Sequence, residues 1–187
     1  MEKRPEIKPE KKARIIITGP ESTGKTGITK YLSEFYNTVY VPEYAREYVE
    51  KLRRRYTYED VAHIARKQIE LEKELYDRAR GILFYDTFLV LTRTWFQVVY
   101  KDVPAWIDDH IREGGWDLFL LCKYDIPWEK DPVRENPGEM RRKLFDMYHE
   151  QIRQLGIPCR IITGSGDTRY SNALKAVREF MGTGRTP

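Results

Sequence analysis

Apolar residues along this chain fall into two alternating patterns, short unbroken runs and longer stripes at helical spacing. Ala13–Thr18 (ARIIIT) is a β-rich run ending at a glycine, which predicts a strand. Gly27–Tyr36 follows with Ile28, Tyr31, Leu32 and Phe35 on one helical face. Thr38–Val41 predicts a second, weaker strand, and Glu43–Arg54 is a charged amphipathic stretch. A long helix is expected from Thr57, where Thr57 and Asp60 form the T-x-x-D of a capping box. Its apolar stripe runs through Val61, Ala65, Ile69 and then Leu75 or Tyr76. Gly81 punctuates it, and Ile82–Tyr85 predicts a third strand ending at Asp86. Phe88–Tyr100, apolar and aromatic throughout, reads as one helix buried over much of its surface. Trp106–Arg112, Met140–Leu155 and Asn172–Met181 read as further helices, with strands at Asp117–Leu121 and Pro158–Ile162. Strands that alternate with helices and are apolar all along predict an α/β fold with a five-stranded parallel sheet covered on both faces.

The 187 residues fit one domain, expected over residues 13–187. No apolar run approaches the ~18 residues of a membrane helix, and no secretory h-region is present, so a membrane role is excluded. The net charge of +4 raises the question of nucleic acid, but Met1–Arg14 carries six basic and three acidic residues. From Ile15 onward 27 basic residues face 26 acidic ones, and a balanced body argues against a nucleic-acid partner. Residues 1–12 read as a mobile basic leader. Cys122 and Cys159 read as buried free thiols, in keeping with a reducing cytoplasm. His63, His110 and His149 have no ligand spacing. The sequence is compatible with an oligomer.

Between the first strand and first helix lies Gly19-Pro20-Glu21-Ser22-Thr23-Gly24-Lys25-Thr26, a match to G-x-x-x-x-G-K-[ST] at every fixed position. Such a loop wraps phosphates with backbone N–H groups at a helix N-terminus. Lys25 is expected to reach the β/γ-phosphates and the Thr26 hydroxyl to ligate Mg²⁺, so the chain should bind ATP.

In open α/β sheets ligands lie beyond the C-terminal strand ends, which selects Glu43, Asp86 and, more weakly, Asp125. Asp86 follows four apolar or aromatic residues, as a Walker-B aspartate does; it would hold Mg²⁺ through water or deprotonate a hydroxyl, and could also cap the next helix. Glu43 suits a base near an acceptor hydroxyl, but with Arg46 and Glu47 it equally suits a solvated helix face. Asp125 reads as structural. Tyr124–Arg142 is rich in proline and charge and reads as a lid, with Arg134, Arg141 and Arg142 as candidates to close over phosphate. Among the aromatics, Tyr44 and Trp128 are the candidates to stack on a flat ring, whereas Trp95, Phe96 and Trp106 read as core.

Five segments, GPESTGKT (19–26), PEYAREYV (42–49), FYDT (84–87), DIPWEKDPVREN (125–136) and GDTRYSNA (166–173), together resemble the ribosylnicotinamide kinase domain of NadR and the stand-alone NadR-like P-loop ATPases. The resemblance covers nearly all of Ala13–Met181. It implies a nucleoside-kinase-like P-loop NTPase fold, three layers α/β/α with a lid, transferring the ATP γ-phosphate to the 5′-hydroxyl of nicotinamide riboside. Carried onto this chain, it implies that Gly19–Thr26 binds ATP and that Glu43, Tyr44 and Arg46 line the acceptor site. It also implies that Gln68 faces that pocket, Asp86 is the Mg²⁺ or acid–base carboxylate, Arg134 acts from the lid and Arg169 lies near adenine. The length leaves no room expected for an adenylyltransferase or helix-turn-helix domain. Family members commonly carry a second acid two residues after the Asp86 position, where this chain has Phe88. A phenylalanine accepts no hydroxyl hydrogen bond, which opens the alternatives of another nucleoside substrate or an ATP-binding switch acting through a protein partner.

Overall fold

In the computed structural model, residues 11–131 and 134–182 are described. Five strands form one all-parallel sheet: β1 (Ala13–Thr18), β2 (Tyr40–Val41), β3 (Ile82–Asp86), β4 (Leu118–Cys122) and β5 (Cys159–Ile162). Their order is β2-β3-β1-β4-β5. After β1 the chain crosses toward β2, whereas after β3 it crosses back over β1 to β4. The crevice between the C-terminal ends of β1 and β3, where Ile17 pairs with Asp86, is therefore the topological switch point where ligands bind.

Every residue of β3 and β4 is buried. Alternation splits β1 between two cores. Ile15 and Ile17 pack with Ile28, Leu32, Phe84 and Val177 under α1 (Lys25–Phe35) and α7 (Gly166–Gly182). Ile16 packs on the other face with Val61, Leu89, Phe119 and Tyr148, covered by α3 (Tyr58–Tyr76), α4 (Leu89–Trp95), α5 (Ala105–Glu113) and α6 (Glu139–Gln154). The short α2 (Tyr44–Lys51) lies against α3. The capping box read at Thr57 forms in full: the Thr57 hydroxyl accepts from Asp60 N at 3.3 Å, and Asp60 Oδ2 accepts from Thr57 N at 2.7 Å.

Two elements depart from the sequence pattern. The expected single helix over Phe88–Tyr100 is α4 followed by a π-helical turn at Phe96–Tyr100, which ends where Lys101 turns left-handed. The wider turn tilts the later side chains relative to α4, and uniform apolarity hides such a change of pitch. The last helix starts at Gly166 rather than Asn172, so the GDTRY segment is helical, with Asp167 in its first turn. Of the basic leader only Lys11 and Lys12 lie within the described residues. Lys12 is docked, donating to the carbonyls of Tyr76 and Asp77 at 2.6 and 2.9 Å. Cys122 is buried and Cys159 half-buried, both free thiols. Among the described residues no helix is long and apolar enough to cross a membrane.

Candidate active site

The loop from Gly19 to Thr26 leaves the C-terminal end of β1 and becomes the first turn of α1. Its backbone is set by left-handed residues: Gly19 at φ 141°, Ser22 at φ 56° and Gly24, the N-cap, at φ 75°. A Cβ at Gly19 would lie 2.6 Å from the Cys122 carbonyl oxygen, so the close approach of loop to β4 requires glycine there. Lys25 Nζ donates to the Pro20 carbonyl at 2.9 Å and the Thr23 hydroxyl to the same oxygen at 2.7 Å. The loop is thus folded on itself, with the helix N-terminus facing the cleft.

Asp86 ends β3 and is 2% exposed. Burial raises its pKa, opposed by the Thr26 hydroxyl hydrogen bond and by the charges of Lys25 and Lys30. Its Oδ1 is buried with no hydrogen-bond partner among the described residues. The next residue, Thr87, holds the left-handed region at φ 55°, a strained geometry for a β-branched residue that clusters at functional sites. A buried carboxylate that meets the Thr26 hydroxyl and keeps one oxygen orphaned fits a hydrated Mg²⁺, which prefers oxygen ligands and keeps several waters.

Glu43 is the N-cap of α2, yet its side chain makes no capping bond. Burial pushes its pKa up to about 7, with Lys25 opposing and the negative charge of Asp86 reinforcing the rise. Of the two ways of reading Glu43 from sequence, the solvated helix face does not hold, because the carboxylate is half-buried beside the phosphate loop.

Glu43 and the loop line one cleft of about 340 Å³. The same cleft is also lined by an apolar and aromatic wall of Val49, Tyr56, Leu91, Trp95, Val98 and Tyr148. Trp95 and Tyr56 meet edge to face, with centroids 4.7 Å apart. Trp95, an aromatic at helical spacing, reads as core from sequence, and Tyr56 belongs to no motif, yet both line the cleft. The two aromatics favoured for ring stacking lie elsewhere. Trp128 sits beside the Arg141 guanidinium at 5.7 Å, and Tyr44 packs with Tyr48 and His63; neither lines the cleft.

Glu129, Glu135 and Asn136, from the segment read as a lid, are hydrogen-bonded to the phosphate loop. The Glu21 carboxylate accepts from Glu135 N and Asn136 N at 3.0 Å and from Asn136 Nδ2 at 3.1 Å. The Ser22 hydroxyl accepts from Glu129 N at 3.0 Å. Arg46 lines the cleft and pairs with Asp131 and with Glu50. The three lid arginines separate. Arg134 lines the cleft, with Nη1 on the Glu129 carbonyl at 2.7 Å and 3.4 Å from Ser22 Oγ. Arg141 is 6% exposed and binds the carbonyls of Ser22 and Ile126 at 2.9 and 3.1 Å, supporting the loop from behind. Arg142 turns outward to Glu139.

Two further expectations change. Arg169 is 4% exposed and spends its guanidinium on protein: on the carbonyls of Thr23, Lys123 and Gly164, and on Asp125 at 2.8 Å. It braces the loop rather than presenting itself to a base, and Asp125 is structural, as read. Gln68 is also 4% exposed and does not line the cleft; its amide binds backbone on either side of Glu43. Phe88 points into the core against Tyr85 and Trp116.

The sequence matches the family model described as AAA domain over residues 14–169, and the chain belongs to that family. It is 26% identical over 197 residues to the trifunctional NAD biosynthesis/regulator protein NadR of Escherichia coli (strain K12), covering 96% of this chain and 45% of that protein. The chain therefore spans about half the length of the curated relatives it matches. Among solved structures, NadR in complex with NR superposes with a TM-score of 0.77 at 23% identity, covering 94% of this chain and 52% of that one. NadR in complex with NAD and AMP-PNP gives 0.73 at 24%, covering 94% and 51%. The fold is that of a P-loop, nucleoside-kinase-like domain.

Proposed function

We propose that this AAA-domain family member is a Mg-ATP-dependent kinase that phosphorylates the 5′-hydroxyl of nicotinamide riboside, yielding the mononucleotide. The observation that carries this reading is one cleft with two kinds of lining, the phosphate loop with Lys25 and Thr26 and an aromatic wall, with Glu43 on the cleft and Asp86 near the loop. In this reading the loop is the phosphate end and the wall the acceptor end. The NadR structures in complex with NR and with AMP-PNP support a riboside and ATP as the two ligands of this reading.

Thr26 and Asp86 would hold Mg²⁺, which would supply neutralisation of the triphosphate's charge. Loop amides and Lys25 orient the triphosphate, and Lys25 with Arg134 stabilises charge on the transferring phosphoryl group. Glu43, ionised, accepts the proton of the acceptor hydroxyl as its oxygen attacks phosphorus; ADP leaves with the β–γ bridging oxygen. A base poised near the working pH combines sufficient ionised fraction with sufficient basicity. The closed lid excludes water, which limits hydrolysis in place of transfer.

A second reading, a different nucleoside acceptor, is favoured by Phe88: its ring is buried against Tyr85 and Trp116, so this position offers no acceptor to a ribose hydroxyl. Incubating the protein with Mg-ATP and a nucleoside panel separates the readings. Nicotinamide riboside is expected to give the fastest ADP release; a faster partner would replace it. Tight ATP binding with no product from any nucleoside would replace the kinase with an ATP-binding switch.

A further inference from the structure

We propose that Gln68, on α3 and outside the cleft, is a positioning residue that fixes the carboxylate of Glu43 for proton abstraction. Its amide clamps the two peptide groups that flank Glu43: Nε2 donates to the Pro42 carbonyl at 2.8 Å, and Oε1 accepts from Tyr44 N at 3.1 Å. Tyr44 N is one of the opening N–H groups of α2 that has no partner inside the helix, and Gln68 supplies it from another element.

Glu43 needs such a clamp. It occupies the N-cap of α2 in extended backbone, φ −73° and ψ 100°, without a capping bond of its own, so its direction follows from the peptides on either side. The clamp itself is anchored. Gln68 lies on α3, whose first turn is held by the capping box and by Asp60, which binds Tyr48 of α2 at 2.8 Å and Arg54. An apolar residue at 68 would leave the part-buried Pro42 carbonyl and Tyr44 N–H without this partner, so the turn carrying Glu43 would shift. A base displaced by about 1 Å loses on the order of 10²-fold in rate, while groups that hold ATP at the other end stay in place.

This inference rests on Glu43 being the base, and the experiment treats the two separately. Steady-state kinetics with Mg-ATP and the nucleoside that gives turnover would compare Gln68→Leu, Glu43→Ala and the double variant. Gln68→Leu is expected to lower kcat about 10–100-fold with KM for ATP changed less than about twofold. The double variant is expected to stay within about threefold of Glu43→Ala, because a residue acting through Glu43 has nothing left to position once it is gone.

Gln68→Glu keeps the acceptor for Tyr44 N but donates to Pro42 only when protonated, so its kcat should fall between Gln68→Leu and wild type. Should Gln68→Leu not fold, Gln68→Glu carries the test, with a reduced kcat and the same lack of additivity expected. A near-wild-type kcat in the Gln68 variants, or losses that multiply in the double variant, would overturn the proposal while leaving Glu43 as base. Wild-type kcat in Glu43→Ala would overturn both, as would a complete absence of turnover.

Discussion

At the proposed phosphate end of the cleft, the lining residues Glu21–Gly27 belong to one run of the chain, whose backbone turns on left-handed Ser22 and Gly24. At the proposed acceptor end the wall is side chains from separate places: Val49 on α2, Tyr56 before α3, Trp95 at the end of α4 and Tyr148 on α6. A backbone site depends on glycines, left-handed residues and a helix start. A side-chain site depends on how four elements pack. The first tolerates change in the body of the protein and fails when a loop residue changes; the second should behave the opposite way.

The largest effect should come from breaking the phosphate end. Lys25→Ala is expected to lower kcat/KM by about 10³-fold or more, because the positive charge that Lys25 places beside the transferring group is then lost. Only the lid arginine, the loop amides and Mg²⁺ remain to stabilise that group. Measured transfer within tenfold of wild type would remove Lys25 from the chemistry. At the other end Trp95→Ala should raise KM for the acceptor by roughly tenfold, the loss of one aromatic face, with KM for ATP unchanged. If both constants moved together, the two ends would not be separable.

Glu43 joins the ends, and its cost can be read as stability. Its folded pKa of about 7 lies above the unfolded value, so the native state binds more protons through that window and loses stability as pH rises across it. Glu43→Gln removes that loss. The variant should melt higher than wild type near pH 8 by an amount on the order of 2 kcal/mol, and match it near pH 4, as thermal unfolding would record. Equal melting curves at both pH values would contradict the burial of this carboxylate. The smallest effect lies outside the cleft: Thr57→Ala breaks the capping box of α3 and should cost about 1 kcal/mol, a few degrees in Tm, with both KM values nearly unchanged.

The same contrast explains what the sequence disclosed. The phosphate loop, Asp86 and the Thr57 cap are local patterns whose meaning is set by neighbours in the chain, and all were legible. So was the parallel sheet, because strands buried on both faces are apolar at every position. Trp95 and Tyr56 were not, since which face of a helix meets a cleft depends on tertiary packing. The three lid arginines share one segment and one charge, yet one lines the cleft, one braces the loop and one meets solvent. Gln68 and Arg169 show the same limit from the other side. Their buried positions make them supports for Glu43 and for the phosphate loop, a role that no spacing reveals.

The most direct test follows the phosphorus. Protein incubated with Mg-ATP and nicotinamide riboside, observed by ³¹P NMR, should convert the γ-phosphate signal into a phosphomonoester on the 5′-oxygen in step with ADP. Inorganic phosphate as the sole product, or an unchanged ATP spectrum, would contradict transfer between the two ends of this cleft.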